Sequence, residues 1–153
     1  MRRSDKEIVD RAEIDRIVRI CQVCRLGMSD DSEPYVVPMC FGYDGDTVYL
    51  HCATEGRKLD ILRKHPRVCL EFDIAGELVR AEQACGWTIK YESVIAFGAA
   101  VLIEDAEEKR EGLRHLMRQY AGPGKEFTFP DAAVERVAII KVTIDEITGK
   151  HSV

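Results

Sequence analysis

The chain has 153 residues, 46% hydrophobic and 32% charged, with a formal net charge of −5 at pH 7. Such a balance suits one soluble domain with its own core. It speaks against a nucleic-acid partner, which wants a basic face, and no apolar run approaches the ~20 residues of a membrane span. The first 16 residues are charged and lack the apolar centre of a signal peptide, so a cytoplasmic location and a single domain over 1–153 are expected.

Residues 10–21 read as an amphipathic helix, with Ile14, Ile17, Val18 and Cys21 at i, i+3, i+4, i+7. A strand over 25–29 ends at Asp30-Asp31, a turn signal. Residues 35–43 are apolar and β-rich, Asp44-Gly45 is a hairpin dipeptide, and 47–52 return as the partner strand. Thr54 is expected to cap a short helix that ends before Pro66, and 68–72 form a strand. Residues 73–84 fit either strand or loop. A long strand follows over 85–103, bent near Gly98. Asp105 is expected to cap a helix with Leu113, Leu116, Met117 and Tyr120 on one face. Residues 121–131, with two Gly and two Pro, form a loop, and 137–144 are the last strand. Six strands without regular βαβ alternation predict a mostly β fold, an antiparallel barrel with peripheral helices.

Six cysteines raise the question of metal or redox chemistry. Cys21 and Cys24 form one C-x-x-C, with no second pair or spaced histidines to complete a zinc site. A thioredoxin-type motif sits between a strand and a helix start, whereas this one follows a helix and precedes a strand. Buried, reduced thiols and no metal are the expectation. No Gly-rich phosphate loop of the dinucleotide or Walker type is present.

The stretch from His51 to Lys58 is the most informative. It leaves a strand and enters a helix, and it puts Arg57 and Lys58 at the helix N-terminus, where cations cost roughly 0.3–1 kcal/mol each. A bound anion reverses that sign, and free N–H groups, the Thr54 hydroxyl, Gly56 and two cations make a phosphate cradle. Two solvated surface cations, offset by Glu55, are the plainer alternative. Upstream, Pro38 interrupts the run Val36, Val37, Pro38, Met39, which places it at a sheet edge or bulge. A bulge there would expose N–H and C=O groups to a flat heteroaromatic ring. His51 shares a face with Tyr49 and Ala53, opposite Val48, Leu50 and Cys52, and is the candidate ligand contact or proton donor. His65, His115 and His151 show no partners in the sequence, and Trp87 and Tyr91 read as packing residues or pocket walls.

Several segments in order carry a resemblance: Arg25-Leu26-Gly27, 34–38, 41–46, Tyr49-Leu50-His51, Gly56-Arg57-Lys58, 64–69, 91–98 and 147–150. On these the chain resembles the FMN-binding split β-barrel proteins related to pyridoxamine 5′-phosphate oxidase. Among them it is most similar to the nitroimidazole-resistance proteins. The resemblance implies a six-stranded split barrel and a homodimer with FMN at the interface. It also implies a flavin ring facing Val36, Val37, Pro38 and Met39. The phosphate end would be held by His51, Cys52, Ala53, Gly56, Arg57 and Lys58, with Ser93 and Val94 completing the site. An FMN oxidoreductase acting on a nitroaromatic acceptor is the activity implied, with His51 as proton donor; a non-catalytic flavin or haem binder is the alternative. Cys40 stands where relatives often carry Asn, and Cys52 where Ser is frequent; a thiol is the weaker donor. The C-terminus, Lys150-His151-Ser152-Val153, lacks the oxidase's substrate-binding motif.

Overall fold

The computed structural model describes residues 4–152. In chain order the elements are β1 (Glu7–Ile8), α1 (Arg11–Ile20), β2 (Cys24–Asp30), β3 (Glu33–Met39), β4 (Phe41–Tyr43), β5 (Thr47–Cys52), α2 (Arg57–Lys64), β6 (Arg67–Val79), β7 (Thr88–Ile103), α3 (Ala106–Ala121), α4 (Asp131–Glu135) and β8 (Ala138–Ser152). Every strand pairing is antiparallel, in the order β3-β2-β6-β7-β8-β5-β4, with β1 added to β8. The two ends of that order, β3 and β4, are separated in the chain by Cys40 alone. The sheet must therefore curl until its ends meet, which makes a barrel split along one seam. The class is the expected one, with eight strands in place of six.

Alternation decides what fills the interior. Leu26, Phe41, Val48, Leu50, Leu70, Phe72, Val94, Ala96 and Val142 are fully buried, and Phe41 meets Phe72 edge to face at 5.0 Å between ring centres. Helix α1 turns Ile14, Ile17 and Val18 into this core, with Asp10 accepting the Ala12 N–H as its cap. Helix α3 lies on the outside of the sheet and is capped by Asp105, as expected, through Glu107 and Glu108 N–H at 2.9 Å. It comes so close to β4 that a Cβ on Gly42 would sit 2.4 Å from the backbone of His115 and Leu116. No described helix is long and apolar enough to cross a membrane.

Several elements differ from the sequence reading. The run over 35–43 breaks at Cys40, not at Pro38; Pro38 sits in the edge strand β3, where its missing N–H costs no ladder bond on the open side. Strand β6 continues to Val79 and β8 to Ser152, because each is paired along its length with β7. The bend of β7 is a register shift between Phe97 and Gly98, where a Gly98 Cβ would meet the Thr143 oxygen at 2.3 Å. Cys85 lies in a 3-10 turn before β7, and Trp87 is half-exposed with its Nε1–H on the Ala81 carbonyl, so it is not a core residue. The inward face of α3 is Gly112, His115 and Leu116, whereas Tyr120 is exposed and its hydroxyl accepts the Phe41 N–H and donates to the Gln22 carbonyl.

All six cysteines are free. Burial lifts the Cys21 thiol from 9.0 to about 11 and that of Cys24 to about 12, so neither is a ready thiolate. Burial likewise takes Tyr43 from 10.0 to about 12, and loss of water around the Tyr120 hydroxyl raises that group to about 12 although the residue as a whole is exposed. An acid raised by folding ionises first in the unfolded chain. The stability these groups lend is complete below about pH 9 and drains away as pH rises toward about 12. A melting-temperature profile should be level around neutrality and fall steadily above about pH 9. A level profile to about pH 11 would contradict this assignment.

Candidate functional site

The seam of the barrel gathers the residues singled out in the sequence. Phe41, the residue after Cys40, pairs with Leu50, the residue before His51, while Met39 at the end of β3 pairs with Cys24. Val48 and Leu50 point inward, while His51 is exposed on the outer face with Tyr49. Cys52 points inward, partly buried, and burial pushes its thiol up while Lys58 pulls it partly back. The end of β3, the end of β5 and the start of α2 thus converge at one corner.

Helix α2 begins at Arg57 with Gly56 as its cap, not at Thr54. Gly56 has φ +132, a backbone shape that favours glycine, and open space surrounds the position a Cβ would take. No side chain caps the helix. The Leu59 and Asp60 N–H groups turn back onto the Gly56 carbonyl at 2.9 and 3.2 Å. The N–H groups of Arg57 and Lys58 have no acceptor among the described residues. Both side chains also lack a carboxylate partner there, since Asp60 pairs with Arg63 instead. The Lys58 Nζ lies 3.0 Å from Met39 Sδ, a weak acceptor. The Arg57 guanidinium lies over the Tyr35 ring, 4.6 Å from its centre. Two cations and two free N–H groups at the positive end of a helix form a donor set for one dianionic group.

Ser93 and Val94 lie on β7, with β2 and β6 between them and β3 in the sheet order. Val94 is also fully buried, so its side chain faces the core. Ser93 pairs with Asp73 and Lys150 on the outer face. Sequence reasoning missed Tyr35. The signal was its spacing of four from Met39 on one strand, which puts both side chains on one face beneath adjacent helix residues. Two of the remaining histidines gain partners: His65 lies 3.3 Å from Asp31, and buried His115 stacks on Tyr49 at 4.7 Å with Glu111 at 3.3 Å. Asp30, Asp31 and His65 lie within metal-ligand reach of one another, but the turn is largely exposed and Lys64 stands 3.9 Å from Asp30.

Comparison with known proteins places this corner in context. A family model described as pyridoxamine 5′-phosphate oxidase matches residues 10–151. The chain is similar to a Bacteroides thetaiotaomicron protein assigned provisionally to 5-nitroimidazole antibiotic resistance: identity is 39%, coverage 95% of this chain and 86% of that one, and the TM-score 0.84. It is also similar to a flavocytochrome from Azotobacter vinelandii, at 25% identity over all of this chain and 72% of that one, with a TM-score of 0.86. An FAD and haem binding protein from Mycobacterium smegmatis shares the fold at 19% identity, covering 96% of this chain and 73% of that one, with a TM-score of 0.86. An uncharacterized protein of Rhizobium meliloti is 30% identical over 64 residues, a match that spans 42% of this chain and 42% of that relative.

Proposed function

The chain belongs to the pyridoxamine 5′-phosphate oxidase family, and from that premise we propose that it is an FMN-dependent oxidoreductase working as a homodimer. The observation that carries the reading is the start of α2, where Arg57 and Lys58 meet two unsatisfied N–H groups and neither side chain forms an ion pair among the described residues. That donor set suits the phosphate of FMN. Gly56 leaves room for its close approach, and Arg57 and Lys58 cancel its charge. The edge strand β3, with Val36 and Pro38 exposed beside the corner, offers a wall for the ring. When bound, FMN supplies the hydride chemistry, and the chain supplies anchoring, orientation and shelter from water.

Dimerisation is part of the proposal. Val36, Ile95 and Val101 are exposed on the outer face of the sheet. Ser93 lies three strands from β3 in the sheet order, and in the proposed dimer a second copy laid against that face brings its own Ser93 and Val94 backbone to the ring. His51, exposed on the same outer side, is the proposed proton donor. The nitroimidazole-related neighbour makes a nitroaromatic compound the acceptor to try first.

The absorption spectrum of freshly purified protein, followed by titration with FMN, tests this reading. A visible flavin band with saturable uptake is expected, together with a dimer in sedimentation. NAD(P)H consumption that depends on both FMN and a nitroimidazole should follow. A protein with neither flavin band nor FMN uptake defeats the proposal. An intense Soret band would instead point to a haem binder, with His51 or a cysteine as axial ligand.

A further inference from the structure

We propose that Tyr35 is a positioning residue of the phosphate site, its ring fixing the Arg57 guanidinium so that the edge donors stay free for the anion. This rests on the reading of the α2 corner as a phosphate site. The observations are local. Arg57 stands at the first position of α2, is solvent-exposed, and has no carboxylate partner among the described residues. A side chain of that kind ordinarily samples many rotamers, and ordering it on ligand binding costs free energy. Here its guanidinium lies over the Tyr35 ring at 4.6 Å. Stacking on the aromatic face engages the π surface of the guanidinium and leaves its in-plane N–H donors unused.

The ring itself is fixed. Tyr35 is half-buried, packs against the main core and pairs with Met28 in the β2–β3 ladder. Four residues on, Met39 performs the parallel service for Lys58 at 3.0 Å. One face of β3 thus holds the two cations that open α2, but the two supports differ. The thioether is a weak acceptor that yields Lys58 readily, whereas the ring can keep Arg57 while it donates to a ligand. Tyr35 would act by preorganisation, touching Arg57 and not the flavin.

The test uses the full chain freed of flavin, titrated with FMN and with riboflavin, which lacks the phosphate. Tyr35→Leu should raise the FMN Kd about three- to thirty-fold and leave the riboflavin Kd unchanged. Tyr35→Phe, which keeps the ring face, should bind FMN as the parent does. In an Arg57→Ala background, Tyr35→Leu should change the FMN Kd by less than about two-fold, since the group it positions is gone. If Tyr35→Leu does not fold, Tyr35→Met, which keeps apolar bulk without a ring, carries the same expectations. The proposal is overturned by a parent-like FMN Kd in the ringless variants, by equal weakening for FMN and riboflavin, or by an undiminished effect without Arg57. Failure of Arg57→Ala itself to weaken FMN would instead remove the phosphate-site reading beneath it.

Discussion

Replacing Arg57 and Lys58 together with alanine is expected to weaken FMN binding by about two to four orders of magnitude while leaving the fold in place. Each charge-assisted hydrogen bond contributes roughly 1.5–3 kcal/mol, and two are removed. The fold should survive because neither side chain makes an ion pair among the described residues and neither belongs to the core; the buried face of α2 is Leu59, Ile61 and Leu62. Removing two cations from the positive end of a helix should, if anything, favour the flavin-free protein slightly. Melting temperature and FMN Kd, measured on the same preparation, separate the two effects. The loss should be specific to the phosphate, so riboflavin affinity should hardly move. An FMN affinity equal to the parent's would mean that the phosphate docks elsewhere.

Phe72→Ala should have the largest effect on stability, destabilising by about 3–5 kcal/mol. Phe72 is fully buried on β6 and meets Phe41 edge to face, so the deletion loses its own burial and empties space around a second ring. Phe41 is the first residue of β4, one position beyond the seam, and its N–H is held by the Tyr120 hydroxyl at 2.9 Å. A gap beneath it loosens the place where the two ends of the sheet meet. Against a total stability of ordinarily about 5–15 kcal/mol, that loss should lower the melting temperature by roughly 6–20 °C. A shift of about 2 °C or less would show that the interior relaxes around the gap.

The sequence made much of this molecule legible because its local signals were strong. The amphipathic periodicity of α1, the Asp105 cap, the Asp44-Gly45 turn and the inside–outside alternation of β5 all stand where the residue pattern puts them. What stayed hidden was settled by long-range pairing. Residues 73–79, interrupted by Gly76 and Glu77, fit strand or loop by local pattern, and they are strand because β7 pairs with them. The extension of β8 beyond Ile144 depends on the same strand. The start of α2 moved from Thr54 to Arg57 because Gly56 adopts a φ that propensity does not reveal. That shift drew the two cations to the first two helical positions, which strengthens the electrostatic case. His115 looked solitary because its partners Tyr49 and Glu111 come from a strand far away and from one turn earlier in its own helix. Tyr35 was passed over because a tyrosine on an edge strand carries no signature of its own; its meaning comes from the helix that lands on it.

The most direct measurement is a crystal structure of the protein grown with excess FMN. The account predicts the phosphate within hydrogen-bond reach of the Arg57 and Lys58 N–H groups, with Lys58 turned from Met39 to the anion and Arg57 still seated on Tyr35. A nucleotide bound elsewhere, with those two side chains as they are in its absence, would contradict it.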